Sequence, residues 1–414
     1  MTTDECGGRG PRHGVDHGGR RWHLHGTLLT GGIDQSGAAV PFREAGSPAA
    51  GAVPGGNSTP GPPRVDETPR DLWIDAGRLV EGPLADATTL ARDAWIMPGL
   101  VDAHCHIGLD SHGGTSMDMA RAQARTDRDA GTLLIRDAGS PIDTHELDHE
   151  PDLPDIIRAG RHIARPRRYL RNYGVEIEPG QLVDEVVRQA RRGDGWVKLV
   201  GDWIDRDLGD LAPLWDPDEA RRAIAAAHEN GARVTAHCFG EQSVAELVDA
   251  GIDCIEHGTG MSPEVIDTMA SRGVALVPTM INLENFPAIA DSGERRFPVY
   301  AAHMRALYQR RLEVLHAARE AGVPIYAGTD AGGAIGHGRI GDEIVELSGI
   351  GGNDFALGAA SWRARTWLGR CGPDIGQSAD LVVFGEDPRR TVEITRNPSL
   401  VILRGVPRRG SASV

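Results

Sequence analysis

ARVTAHCFGEQSVAELVDAGIDCIEHGTGM (232–261) decides the fold. Its first run, ARVTAHC (232–238), is short, apolar and ends near His237. A helix-like run follows, EQSVAELVDAG (241–251), and stops at a glycine. Then CIEHGT (254–259) is again short and carries His257. A strand, a helix and a second strand of this length read as one parallel crossover unit.

The same alternation extends both ways. Upstream lie WIMPGLVDAHCHI (95–107), TLLIRDAG (132–139), a weak DIIRAGRHI (155–163) and WVKLVGD (196–202). Downstream lie VALVPTM (274–280) and IYAGTD (325–330). Helix-like runs sit between them, including DPDEARRAIAAAHENG (216–231), SPEVIDTMASRG (262–273) and RRLEVLHAAREAG (310–322). Several end in Gly, a helix stop. Eight such units predict an α/β fold, a (β/α)8 TIM-type barrel over 94–378.

Strand-like alternation returns outside that span, in RWHLHGTLL (21–29), DLWIDAGRLVEG (71–82) and ADLVVFGEDPRRTVEITRNPSLVILRG (379–405). Neither terminal segment is large enough to bury a core alone. Pairing 21–93 with 379–414 into one small β-sandwich solves that problem. Residues 1–20 read as a disordered tail. His13, His17, His23 and His25 lie close together in and just after it, and a solvated tail is preferred over a metal tract. The Gly/Pro/Ser-rich stretch 46–64 reads as a flexible loop.

The chain has 414 residues, with 44 Lys+Arg against 59 Asp+Glu and a formal charge of -15. Such a surface repels phosphates, which disfavours nucleic acid and anionic membranes as partners. The 5 cysteines form no CxxC pair, and their odd count argues against a disulfide framework. No apolar run is long enough for a membrane helix, and the N-terminus lacks a secretory core. These features predict a cytoplasmic protein. Oligomerisation with copies of itself stays open.

The chemistry should sit at the carboxyl ends of the barrel strands. There the first strand offers His104 and His106, which alternation points to one face. The fourth carries Lys198, the fifth His237, the sixth His257 and the eighth Asp330. Singly, each has an ordinary structural role available. Together, at one end of successive strands, imidazoles and a carboxylate are a metal-ligand set. Lys198 lies in WVKLVGD, apolar on both sides and hence buried. A buried amine loses its proton readily, and a neutral amine can add carbon dioxide to become an anionic carbamate. The alternative is a lysine paired with Asp202 or Asp205.

The stretches MPGLVDAHCHIGL (97–109), WVKLVGD, VTAHCFGEQSVAELVDAGIDCIEHGTGM, YAGTDAG (326–332) and ADLVVFGEDP (379–388) resemble the metal-dependent amidohydrolase superfamily. The resemblance covers about residues 71–406 and is strongest to the branch of prolidases and imidazolonepropionases. It implies that His104, His106 and Asp330 hold the more buried metal and that His237 and His257 hold a second one. Lys198, carbamylated, would bridge both. Zinc is the implied metal, two per chain, with manganese, iron or cobalt as alternatives. Asp330 would serve as the general base toward a metal-activated hydroxide. The deaminases of the superfamily resemble one another in an HxxE pattern; here His237 and Glu241 are one residue further apart. With Lys198 present, that favours a binuclear hydrolase cleaving an amide C–N bond. The substrate classes implied are a dipeptide, an N-acyl amino acid or a cyclic amide, each a small molecule. Deamination, ester hydrolysis and amide formation are alternative reactions on this scaffold, and a non-catalytic scaffold is a further reading.

Substrate residues are less marked. RHIARPRRYLRNYG (161–174) is basic within an acidic chain. Arg168 there could clamp a carboxylate, and Tyr169 or Tyr173 could donate to an oxyanion. A solvated basic loop is the competing reading. His337 in AGGAIGHGRI (331–340) is another candidate, and Thr279 and Asn282 could line the pocket.

Overall fold

The computed structural model describes residues 19–31 and 68–409. The expectations for the tail up to residue 18 and for the 46–64 loop fall outside them.

The terminal segments do combine, but as a single hydrogen-bonded sheet. Its strand order is Val406–Arg409, Leu400–Leu403, Leu381–Phe384, Thr88–Pro98, Trp22–Leu28, Arg70–Asp75 and Arg78–Val80. Ala76 and Gly77, with φ of 46° and 82°, make the tight turn between the last two. The expected sandwich of facing sheets is replaced by one sheet curled on itself. Gly376 N–H donates to Leu79 O (2.7 Å) and Ala379 N–H to Gly77 O (2.9 Å). The segment entering Leu381–Phe384 therefore pairs with the opposite edge strand. The curl closes over Leu24, Ile74, Ile96, Leu381 and Ile402. His23 and His25 lie in its strand Trp22–Leu28, where His23 bonds Asp71 (2.8 Å) and stacks on Trp73.

The run 95–107 is two strands. Trp95–Pro98 pairs with Leu381–Phe384 in the curled sheet, and Leu100–Cys105 turns into the parallel core. There it pairs with Thr132–Asp137, which pairs with Asp155–Arg158. A second parallel set runs Ile163–Ala164, Trp196–Val200, Arg233–Cys238, Cys254–His257 and Ala275–Val277. The eighth run joins the two sets through isolated bridges, Ile325 to Leu276 and Ala331 to Cys105. A Cβ on Gly328 would lie 2.7 Å from the backbone N of His104, so this close approach requires glycine.

The helices follow their caps. Asp216 accepts from Asp218 N and Glu219 N to start Pro217–Glu229. Gly273 and Gly322, both left-handed, end Pro263–Arg272 and Pro298–Ala321. Strand Trp196–Val200 is buried throughout. Val197, Leu199 and Val200 each contribute about 1.5–3 kcal/mol by leaving water. Lys198 sits in the middle of that strand, with its side chain also buried.

Cys105, Cys238 and Cys254 are free and buried. No helix among the described residues is long and apolar enough to cross a membrane.

Candidate metal centre and active site

Parallel register brings the strand ends together. His104 ends the first strand from inside, and its Nδ1 meets Glu256 Oε2 at 2.7 Å. Ionised Glu256 can only accept, so Nδ1 carries the proton and Nε2 is a bare lone pair. His106 Nδ1 donates to Gly139 O (2.7 Å), which bares its Nε2 in the same way. These two Nε2 atoms lie 3.3 Å apart. Asp330 Oδ1 lies 3.3 Å from one and 3.0 Å from the other. Three lone pairs converge on one point with no proton fixed between them. That is an arrangement a cation resolves.

A second group stands beside it. His237 Nδ1 faces His257 Nε2 at 3.0 Å, while His257 Nδ1 contacts Thr279 Oγ1 at 2.7 Å. The rings of His104 and His257 are 5.4 Å apart. Lys198 Nζ and His237 Nε2 are buried with no hydrogen-bond partner. The pairing of Lys198 with Asp202 or Asp205 does not occur. Asp202 instead accepts from Phe239 N, Gly240 N and Ser243, and Asp205 pairs with Arg168.

The electrostatics follow from burial. It pushes Lys198 below its ordinary value, lowers His106, sends His237 well down, and takes His257 to about 3. Neutral imidazole and amine are the forms that bind metal and carbon dioxide. At His104 burial is outweighed by Glu256 and Asp330, which raise it. Burial would raise Asp330, but His104 and His106 hold it well below the carboxylate range.

Three residues at strand ends, His257, Thr279 and Asp330, have left-handed backbones with φ of 67°, 50° and 58°. Such strain costs of order 1–3 kcal/mol each and collects at functional sites.

Several residues of the site carried no sequence signal. Glu256 is fully buried and also receives Arg136 Nη2 (2.6 Å) and Thr235 Oγ1. Arg136 lies over the rings of Trp196 and Trp367. Asp102 accepts from Thr329 N (3.0 Å), Thr329 Oγ1 (2.5 Å) and His104 N (3.1 Å), tying the first strand to the eighth. Burial pushes it up to about 7. His162 is wholly buried, its ring 5.0 Å from that of His106, with both nitrogens unpartnered. The sequence hint for it was only its place in the weak third strand.

The expected substrate residues divide. Tyr169 packs against His162, Trp203 and His237, and Tyr173 lies against Tyr169. Tyr169 borders the candidate metal-ligand cluster through His237. Arg168 does not. Its guanidinium bonds Asp205 (2.7 Å) and the carbonyls of Ala212 and Trp203, fastening the hairpin Asp202–Asp205/Asp210–Pro213. His337 is also elsewhere, bonded to Asp127 Oδ2 at 2.8 Å. Thr279 supports His257, and Asn282 Nδ2 donates to Asp330 Oδ2 (2.7 Å). Glu241 pairs with His303 and Arg310, away from the cluster.

Nitrogen and oxygen lone pairs gathered beyond parallel strands make this an α/β protein with a donor set for divalent cations. The chain belongs to the amidohydrolase family, whose profile matches residues 95–406. It is 59% identical over 342 residues to an uncharacterized protein of Mycobacterium tuberculosis, covering 82% of this chain and 92% of that one. It is 26% identical over 357 residues to ochratoxinase of Aspergillus niger, covering 74% of this chain and 73% of that one. The fold is similar to that of a putative prolidase from Bifidobacterium longum. There the TM-score is 0.73 at 21% identity, over 95% of this chain and 96% of the other.

Proposed function

We propose that this amidohydrolase, on a (β/α)8 barrel, cleaves the C–N bond of a small-molecule amide with two divalent metals, zinc first among them. The observation that carries the reading is the convergence of His104 Nε2, His106 Nε2 and Asp330 Oδ1 beside the unpartnered Lys198 amine. His104, His106 and Asp330 would hold one ion, and His237 and His257 the other. Lys198, its neutral nitrogen bonded to the carbon of carbon dioxide with release of a proton, would supply the shared anionic oxygens. Divalent metals bound here would polarise the carbonyl and acidify water.

The chain's own groups do the rest. Asp330 is one-fifth exposed, unlike the buried histidines, so it faces the entering water. Asp330 Oδ2, the oxygen turned away from the two histidines, would take the water proton, and the amide of Asn282 holds that oxygen in place. Water oxygen bonds to the carbonyl carbon, the C–N bond breaks, and Asp330 returns its proton to the amine nitrogen. Tyr169 and His162 would orient the carbonyl. Trp203, Phe239 and Tyr169 form an aromatic wall next to His237. It favours an amide with an aromatic or large apolar group, as a dipeptide or N-acyl amino acid provides.

The test is metal content by elemental analysis of untagged protein, with turnover of N-acyl amino acids and dipeptides bearing aromatic side chains. About two metals per chain, falling in Lys198→Ala, with release of a free amino acid, are expected. No retained metal, or metal content indifferent to Lys198→Ala, would overturn the binuclear reading. Release of ammonia alone would move the reaction to deamination.

A further inference from the structure

The seventh strand, Ala275–Val277, runs on into a short helical turn, Met280–Leu283, entered through the left-handed Thr279. A threonine in that place ordinarily turns its hydroxyl back onto the first N–H groups of the helix. Thr279 does not cap this turn; its Oγ1 meets His257 Nδ1 at 2.7 Å instead. The N–H groups of Met280 and Ile281, both buried residues, then need an acceptor from elsewhere. Glu343 supplies it: Oε1 accepts from Met280 N and Oε2 from Ile281 N, each at 2.9 Å. Glu343 is completely buried and belongs to helix Ile340–Gly351, which follows the loop after Asp330. It therefore ties the turn beyond the seventh strand to the eighth unit.

The ordinary reading is a side chain that closes the end of a short helix. Two observations go beyond it. The two N–H groups are flanked by two side chains that reach the candidate centre: Thr279, against His257, and Asn282, whose Nδ2 donates to Asp330 Oδ2 at 2.7 Å. One of these contacts falls on each of the two proposed ion positions. Thr279 is also β-branched and left-handed, a backbone that persists only where its surroundings impose it. The two bonds to Glu343 fix the next two residues and, with them, that backbone. Burial meanwhile pushes Glu343 up to about 8, so its ion is held at a cost to the fold. A charge held at such a cost does not serve stability.

Resting on the reading of this site as a hydrolytic metal centre, we propose that Glu343 is a positioning residue of the reaction. It touches neither metal nor substrate. Through Thr279, which accepts from His257 Nδ1, it keeps His257 Nε2 bare for an ion. Through Asn282 it aims the Asp330 oxygen that takes the water proton.

Glu343→Gln keeps the shape but replaces one acceptor by an NH2, which cannot meet a backbone N–H. In the full-length protein, cobalt(II) affinity followed by visible absorption should fall by about tenfold or more. On amides that wild type cleaves, kcat should fall by a similar factor of about ten, with KM within about threefold. In an Asn282→Ala background the same substitution should lower kcat by no more than about threefold further, and in a Thr279→Val background it should lower cobalt affinity by no more than that. Glu343→Asp, which keeps both acceptors on a shorter arm, reads the same cycles if the amide variant does not fold. Losses that multiply in full in both backgrounds belong to a merely structural role and overturn the proposal, as do wild-type kcat and cobalt affinity in Glu343→Gln. Wild-type protein that binds cobalt but cleaves no amide refutes the hydrolytic reading alone, and the cobalt cycle still judges Glu343. Wild-type protein that binds no cobalt refutes both.

Discussion

Glu256→Gln tests how the site sets its ligands. In the folded protein Glu256 is wholly buried and accepts from Arg136 at 2.6 Å and from His104 Nδ1 at 2.7 Å. The amide is isosteric but neutral, and it carries one acceptor and one donor. Its oxygen will turn to Arg136, which can only donate. Its NH2 then faces His104 Nδ1, and two donors cannot meet. His104 must move its proton to Nε2, the atom that faces His106 and Asp330. A protonated Nε2 cannot bind metal, so affinity should fall by about 10–100-fold. The guanidinium of Arg136 also loses its buried counter-charge, a change that costs about 3–5 kcal/mol. Metal titration monitored by calorimetry reads the first effect, and urea denaturation of the metal-free protein reads the second. A folded Glu256→Gln protein that binds metal within about threefold of wild type would refute the tautomer argument.

Asn282→Ala removes the bond to Asp330 Oδ2 and frees the proposed base to rotate. Loss of one hydrogen bond to a charged group is worth about 1.5–3 kcal/mol, so kcat/KM should drop by about 10–100-fold through kcat, with metal content unchanged. Steady-state kinetics beside elemental analysis checks this, and a change confined to KM would count against it. His303 joins Asp210 of the hairpin to Glu241 of helix Glu241–Asp249, both at 2.9 Å. Chiefly its bond to Glu241 raises its pKa from 6.5 to about 9. A raised folded-state value means the stabilisation is complete below the unfolded value and lost as pH climbs through about 9. Because the pair is partly exposed, about 1 kcal/mol remains after solvent screening. Urea midpoints of wild type and His303→Gln should differ near pH 6 and converge above pH 10, and a gap that widens with pH would contradict the sign.

The buried candidate ligands could be read from the chain because each lies at the end of a short apolar run. Parallel pairing then needs no further information to bring such ends together. Arg168, His337 and the loop tyrosines show where that logic stops. A loop carries no periodicity, so nothing in RHIARPRRYLRNYG distinguishes Arg168, tied to Asp205, from Tyr169, packed on His162 and His237. Glu256 reads as one more polar residue before a histidine. Its buried partner Arg136 is 120 positions away in the chain.

The alternation of short strands and helices, and the residue types at the strand ends, are local properties, and the sequence alone determined them. The tertiary structure decided everything that depends on a partner distant in the chain. It showed the terminal sheet to be one curled layer and left the Lys198 amine with no hydrogen-bond partner. It assigned the ring proton of His104 to the nitrogen facing Glu256. Burial and hydrogen bonding set those outcomes, and both arise only when segments far apart in the chain are packed against one another.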